Sequence, residues 1–173
     1  GEVSMRKAAV RVLGLAGLIA LSGLLGLFGC ATPQPSSYGN FTQSVPAAMH
    51  QTLANDAVAQ LAALYPPAAT RLDLQQATPD AFGSLLVGSL RAKGYALLEF
   101  KPGAETAASL ATATATATDR AAGAGQPLRY ILDQLDANLY RLTLLVGNQS
   151  LTRAYLAAQN GTVHPAGAWA RKE

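Results

Sequence analysis

The chain reads as an α+β protein: a small domain with two helices packed on a mainly antiparallel sheet, preceded by a flexible lipidated tail. Three observations predict this. Apolar residues recur at helical spacing over 46–64 and again over 82–90. After Pro127 the period falls to two, in short runs separated by turn residues. Ahead of both, an apolar run over 12–28 follows Arg6, Lys7 and Arg11 and closes on Gly29-Cys30, which holds the only cysteine.

That first stretch sets the compartment. A positive start, an apolar run and a small residue are the layout of a secretory signal peptide, here 1–29, with Met5 as the expected start of translation. The run is short for a permanent span, which needs about 20 residues, and it carries Gly14, Gly17, Gly23 and Gly26. Its end, Leu27-Phe28-Gly29-Cys30, looks like a bacterial lipobox, although Phe28 is bulkier than that position favours. Cys30 is then the lipid acceptor and the first residue of a mature chain of 144 residues. Two other readings exist: a plain transmembrane anchor, or a structural free cysteine. Ala31 in place of Asp, by similarity to Gram-negative lipoproteins, directs export to the outer membrane. Several acyl chains hold a protein there where one is marginal.

The net charge of +3 comes from 13 basic and 10 acidic residues. Arg6, Lys7, Arg11 and Glu2 belong to the leader, so the mature part is close to neutral. With no basic cluster, direct nucleic-acid binding is not expected. A mature chain of this length allows one core, built by packing without disulfides.

The tail over 30–45 is rich in Pro, Ser, Gly and Gln and lacks an apolar period, as a spacer does. Tyr38, Phe41 and Val45 stand out in it. They are either scattered exposed side chains or a short segment that docks on a partner protein.

The domain is expected over 46–173. Met49, Leu53, Ala57, Leu61 and Leu64 make the first helix, Pro46–Leu64, with Asn55, Asp56 and Gln60 off the stripe and Tyr65-Pro66-Pro67 ending it. Thr70–Leu74 is a strand with Leu72 and Leu74 on one face. Thr78-Pro79-Asp80 opens the second helix, with Thr78 as cap, Pro79 at the first position and Asp80 in the first turn. Phe82, Leu85, Leu86 and Leu90 form its stripe, and Gly94 closes it after Arg91 and Lys93. Tyr95–Phe100 is a strand. The Ala-Thr alternation within 104–125 has side chains too small to bury much and reads as a low-complexity loop.

Leu128–Leu135 begins the meander. Leu139–Val146 follows a turn at Ala137-Asn138, with Tyr140, Leu142, Leu144 and Val146 on one face. Leu151–Gln159 follows Gly147-Asn148-Gln149, and Asn160-Gly161 is a strong turn signal before Thr162–His164. Arg141 and Arg153 are expected on the outer face of this meander. Trp169 either closes the core in a last strand or meets a neighbouring subunit, where an aromatic beside Arg suits a hot spot.

No catalytic constellation emerges, so no enzyme activity, metal or cofactor is expected. His50 and His164 share no ligand or triad spacing with carboxylates and read as packing or surface residues. Asp133 and Asp136 fall on opposite faces of a strand. Gly83 and Gly88 lie in a helix pattern without the Lys-Ser or Lys-Thr of a phosphate loop.

The lipobox, the helix-strand-helix-strand segment ending Gly94-Tyr95-Ala96-Leu97-Leu98-Glu99, the Pro127-Leu128-Arg129-Tyr130 strand and the terminal Gly167-Ala168-Trp169-Ala170-Arg171 together resemble TrbH. This is a family of conjugal transfer lipoproteins of plasmid type IV secretion systems. The resemblance implies a structural subunit of the outer-membrane core complex, lipid-anchored on the periplasmic face. Its implied partners are a periplasmic β-rich core subunit and the larger membrane-bridging subunit, in a multimeric ring. Cys30 then anchors, Tyr38–Val45 docks and the domain braces the ring, with Trp169 a second docking candidate. A pilotin-like lipoprotein that escorts an outer-membrane secretion subunit is the rival, and a periplasmic enzyme the remaining class.

Overall fold

The computed structural model describes residues 37–102 and 125–173. The expected signal peptide over 1–29, the lipid acceptor Cys30, the first part of the tail and the Ala-Thr loop up to residue 124 lie outside the described residues. Ser36–Glu173 forms one compact unit.

Among the described residues, two helices cover one face of an eight-stranded mixed sheet. The helix α1 spans Ala47–Leu64 and buries Met49, Leu53, Ala57 and Leu61, together with His50, Ala54 and Val58. Small Ala54 and Ala57 let α1 approach its neighbours closely, while full burial of each leucine is worth roughly 1.5–3 kcal/mol. The prolines after Tyr65 end the helix and start a 3-10 turn at Pro67–Ala69.

The helix α2 spans Ala81–Lys93 and buries Phe82, Leu86, Val87 and Leu90. Its cap corrects the sequence expectation. Asp80, not Thr78, is the N-cap, and its carboxylate accepts from Gly83 N at 3.0 Å. Pro79 therefore precedes the cap. The C-terminal end is as expected: Gly94 takes φ 99°, a left-handed value that disfavours side chains, and Tyr95 N closes on Leu90 O at 3.1 Å.

The strands are β1 (Gly39–Asn40), β2 (Arg71–Leu74), β3 (Ala96–Leu98), β4 (Gln126–Asp136), β5 (Leu139–Val146), β6 (Gln149–Ala157), β7 (Val163–Pro165) and β8 (Ala170–Lys172). Their order is β3-β2-β4-β5-β6-β7, with β1 beside the second half of β4 and β8 beside the first half of β6. The pairs from β4 onward are antiparallel, whereas β1, β2 and β3 join in parallel. Parallel neighbours need a crossover, and α2 supplies the one between β2 and β3. Gly39 and Asn40 sit in the sequence-defined tail, yet they belong to this sheet.

The period-two pattern of the meander places its apolar side chains as expected. Leu128, Tyr130, Leu132, Leu142, Leu144, Val146, Leu151 and Tyr155 are buried under the helices. Two expectations change. The strand at Tyr95–Phe100 shrinks to Ala96–Leu98, because its partner among the described residues is the four-residue β2. Arg153 shares its parity with Leu151 and Tyr155, so it points to the helix side and not to the outer face. Arg141 does lie outside, opposite Asp133 in the β4–β5 register and ion-paired with it.

Candidate functional site

Among the described residues no three His, Cys, Asp or Glu side chains gather as a metal site would require. The polar groups that converge do so for structural reasons, in two clusters that fix the two ends of the sheet to the helices.

The first cluster joins α1 to β6. Arg153 Nη1 donates to both Asp56 oxygens at 3.1 and 2.9 Å, and Tyr155 Oη donates to Asp56 Oδ2 at 2.5 Å. Arg153 Nε donates to Gly167 O at 2.8 Å. The guanidinium also lies 5.9 Å from the Trp169 ring centre. Burial, and then the bond to Asp56, push the Tyr155 phenol far above its ordinary range, so it stays a donor. One arginine thus ties the last segment, 167–169, to the first helix.

The second cluster lies where β1 meets α1 and α2. Tyr130 Oη donates to Asp80 Oδ2 at 2.6 Å, and Tyr130 N donates to Gln76 Oε1 at 2.9 Å. Asn40 Nδ2 stands 3.4 Å from His50 Nε2. Since an amide NH2 only donates, this pairing sets Nε2 as the acceptor and puts the ring proton on Nδ1. Burial lowers the His50 pKa, with the Asp80 charge opposing it. His50 Nδ1 and Gln76 Nε2 are buried and have no hydrogen-bond partner among the described residues.

The four side chains expected to dock a partner fall on two opposite edges of the sheet. Tyr38, Phe41 and Val45 are at the β1 edge. Arg129 sits over the Tyr38 ring at 4.9 Å, and Val45 packs on the core. Phe41 is 53% exposed, held in place by Phe41 N donating to Leu132 O at 2.8 Å. Beside it, a cleft of about 550 Å³ is lined by Phe41, Gln43, Ser44, Gln134, Leu135 and Asp136. The register of β4 against β5 shifts between Gln134 and Asp136, and Ser44 takes a left-handed φ of 49°. Leu135 at 48% exposure is a second large apolar group on this cleft.

Trp169 is at the other edge, immediately before β8, half-buried against the core and stacked near Arg153. Of its two sequence readings, the packing one describes part of the ring and leaves part exposed. The residues that sequence reasoning missed are Asp56 and Arg153. The signal for Arg153 was its spacing of two from both Leu151 and Tyr155, which puts all three on one face of the strand. Asp56 had none, since a helix position next to Ala57 looks solvated until its strand partner is placed.

A family model described as conjugal transfer protein TrbH matches residues 35–173. No curated protein and no solved structure matches the chain.

Proposed function

Since the chain belongs to the TrbH family of conjugal transfer proteins, we propose that it is an outer-membrane lipoprotein acting as a structural subunit of the conjugative type IV secretion core complex. In this reading acylated Cys30 anchors the domain on the periplasmic face. The domain braces a multimeric ring made with a periplasmic β-rich subunit and a larger membrane-bridging subunit. Tyr38, Phe41, Val45 and Trp169 are the contact residues.

The observation that carries this reading is the distance between anchor and fold. Only 31–37 separate Cys30 from Tyr38, and Gly39 is already paired to Ile131 in the sheet. A fully extended stretch of that length reaches roughly 25–30 Å. An acylated chain would therefore hold its domain against the membrane, at the height of a collar and not on a long leash. Tethering makes encounter with partners two-dimensional and raises their effective concentration.

Co-purification from outer membranes after mild detergent extraction tests the proposal, comparing wild type with Cys30→Ser. Intact mass reports acylation, and the ratio of co-purifying proteins reports retention. An acylated wild type in fixed ratio with a large secretion core is the expected result. An acylated protein that comes out alone would remove the core-subunit reading and put a pilotin-like escort in its place.

A further inference from the structure

We propose that the helix-free face of the sheet rests on the phospholipid leaflet that holds the anchor, with Leu135, Leu139 and Leu156 as its contact. The inference rests on the reading of Cys30 as acylated.

The large apolar side chains left exposed are not scattered. Among the described residues they are Phe41, Leu98, Leu135 and Leu156, and three of these four gather at one end of the sheet. Phe41 and Leu135 line one cleft with Asp136. Asp136 is opposite Leu139, and Leu139 is opposite Leu156. Leu139 and Leu156 alternate with the buried Tyr140 and Tyr155, so this pair points away from the helices.

The tail shows what lies beyond that face. Before Gly39 the chain cannot follow the β4 edge, because the segment after β2 already occupies it. Leu74 pairs with Leu128, Gln75 N donates to Leu128 O at 3.0 Å, and Gln76 Oε1 accepts from Tyr130 N at 2.9 Å. Tyr38 instead stacks with Arg129, whose guanidinium lies 4.9 Å from the ring centre. Arg129 stands between the buried Leu128 and Tyr130, so it points to the helix-free face. The tail therefore reaches the domain from that side.

The seven residues 31–37 leave little slack. A relaxed stretch of that length spans roughly 15 Å, close to the radius of gyration of about 14 Å for a domain of this size. With acyl chains at one end and this exit at the other, the helix-free face is turned to the lipid. The helix side, where Asn55, Arg91 and Lys93 are exposed, is turned away.

The charges suit a hydrophobic contact and not an electrostatic one. Arg141 on this face is ion-paired with Asp133, and Asp136 accepts from Ala137 N at 2.7 Å. Binding then comes from burial of leucine at headgroup level.

Depth-dependent quenching tests the contact. The acylated full chain is placed in phosphatidylethanolamine–phosphatidylglycerol vesicles that contain a spin-labelled lipid. A polarity-sensitive fluorophore is attached to Leu156→Cys or, on the helix side, to Lys93→Cys. Acylation blocks Cys30, and intact mass verifies this, so only the new thiol is labelled. The Leu156 probe should shift to the blue and be quenched, and the Lys93 probe should do neither. Salt of about 1 M, where the Debye length is ~3 Å, should change nothing. Equal signals at the two sites, or quenching that salt abolishes, overturn the lipid face. Shielding of Leu156 that occurs only in native membranes gives the patch to a partner protein and overturns it too. Acylated protein without quenching removes the lipid face and keeps the anchor. Should Cys30 carry no lipid, the same labels on the Cys30→Ser chain decide. Quenching at Leu156 then keeps the lipid face without the anchor, and its absence removes both.

Discussion

Asp56 on α1 and Arg153 on β6 are 97 positions apart, yet one guanidinium nitrogen touches both carboxylate oxygens. Both side chains are mostly withdrawn from solvent, with 28% and 20% exposure. Removing Asp56 leaves Arg153 and the Tyr155 hydroxyl without their acceptor. Hydrogen bonds to charged groups are worth about 1.5–3 kcal/mol each, so Asp56→Ala should destabilise by about 2–4 kcal/mol. Tyr155→Phe should cost about 1–2 kcal/mol. Urea unfolding of the four chains in an Asp56→Ala/Arg153→Ala cycle checks it. A coupling near zero would mean that the pair is solvated and contributes nothing.

Much of this fold could be read from sequence, because its strong signals are local. The α1 stripe, the Gly94 cap and the alternation over Leu139–Val146 all come from residues a few positions apart, and α1, α2 and β5 lie where those signals put them. What escaped was long-range. Nothing local says that Gly39–Asn40 will pair with Ile131–Leu132, because two residues in a Pro- and Ser-rich stretch have no measurable period. Asp80 won the cap from Thr78 for a tertiary reason: its second oxygen serves Tyr130 on β4. The candidate contact surface was half legible. Phe41 and Trp169 could be named as odd residues, but only the register shows that they lie on opposite edges at nearby heights.

Acid should loosen the junction of β1 with α1 through His50. Its pKa is lowered in the fold from the ordinary 6.5, chiefly by burial. A base with a depressed folded pKa stays neutral in the native state while the unfolded chain takes up a proton. Stability is therefore fully present above pH 6.5 and falls as pH drops below it, until the folded pKa is passed. The slope cannot exceed about 1.4 kcal/mol per pH unit for one group. His50→Gln should flatten the stability profile in the window just below pH 6.5. A wild-type profile that is flat in that window would show that His50 reaches solvent.

The two glycines of α2 make the sharpest contrast. Both sit inside the helix, where glycine costs about 0.8–1 kcal/mol relative to alanine. A Cβ on Gly88 would meet nothing within 4 Å, so Gly88→Ala should stabilise by about that amount. A Cβ on Gly83 would lie 2.3 Å from Tyr130 Oη and 2.9 Å from Thr78 Cβ. The Tyr130 hydroxyl cannot step aside without leaving Asp80, because its ring is fully buried and packs edge-on against Phe82 at 5.1 Å. Gly83→Ala should therefore lose more in overpacking than it gains in helix propensity, a net cost of about 1–3 kcal/mol. Thermal unfolding of the two variants measures both. Adding Tyr130→Phe to Gly83→Ala should recover part of the loss, since the phenylalanine frees the space that the hydroxyl occupies. Equal stabilisation by both alanines would mean that the Tyr130–Asp80 bond does not hold that ring in place.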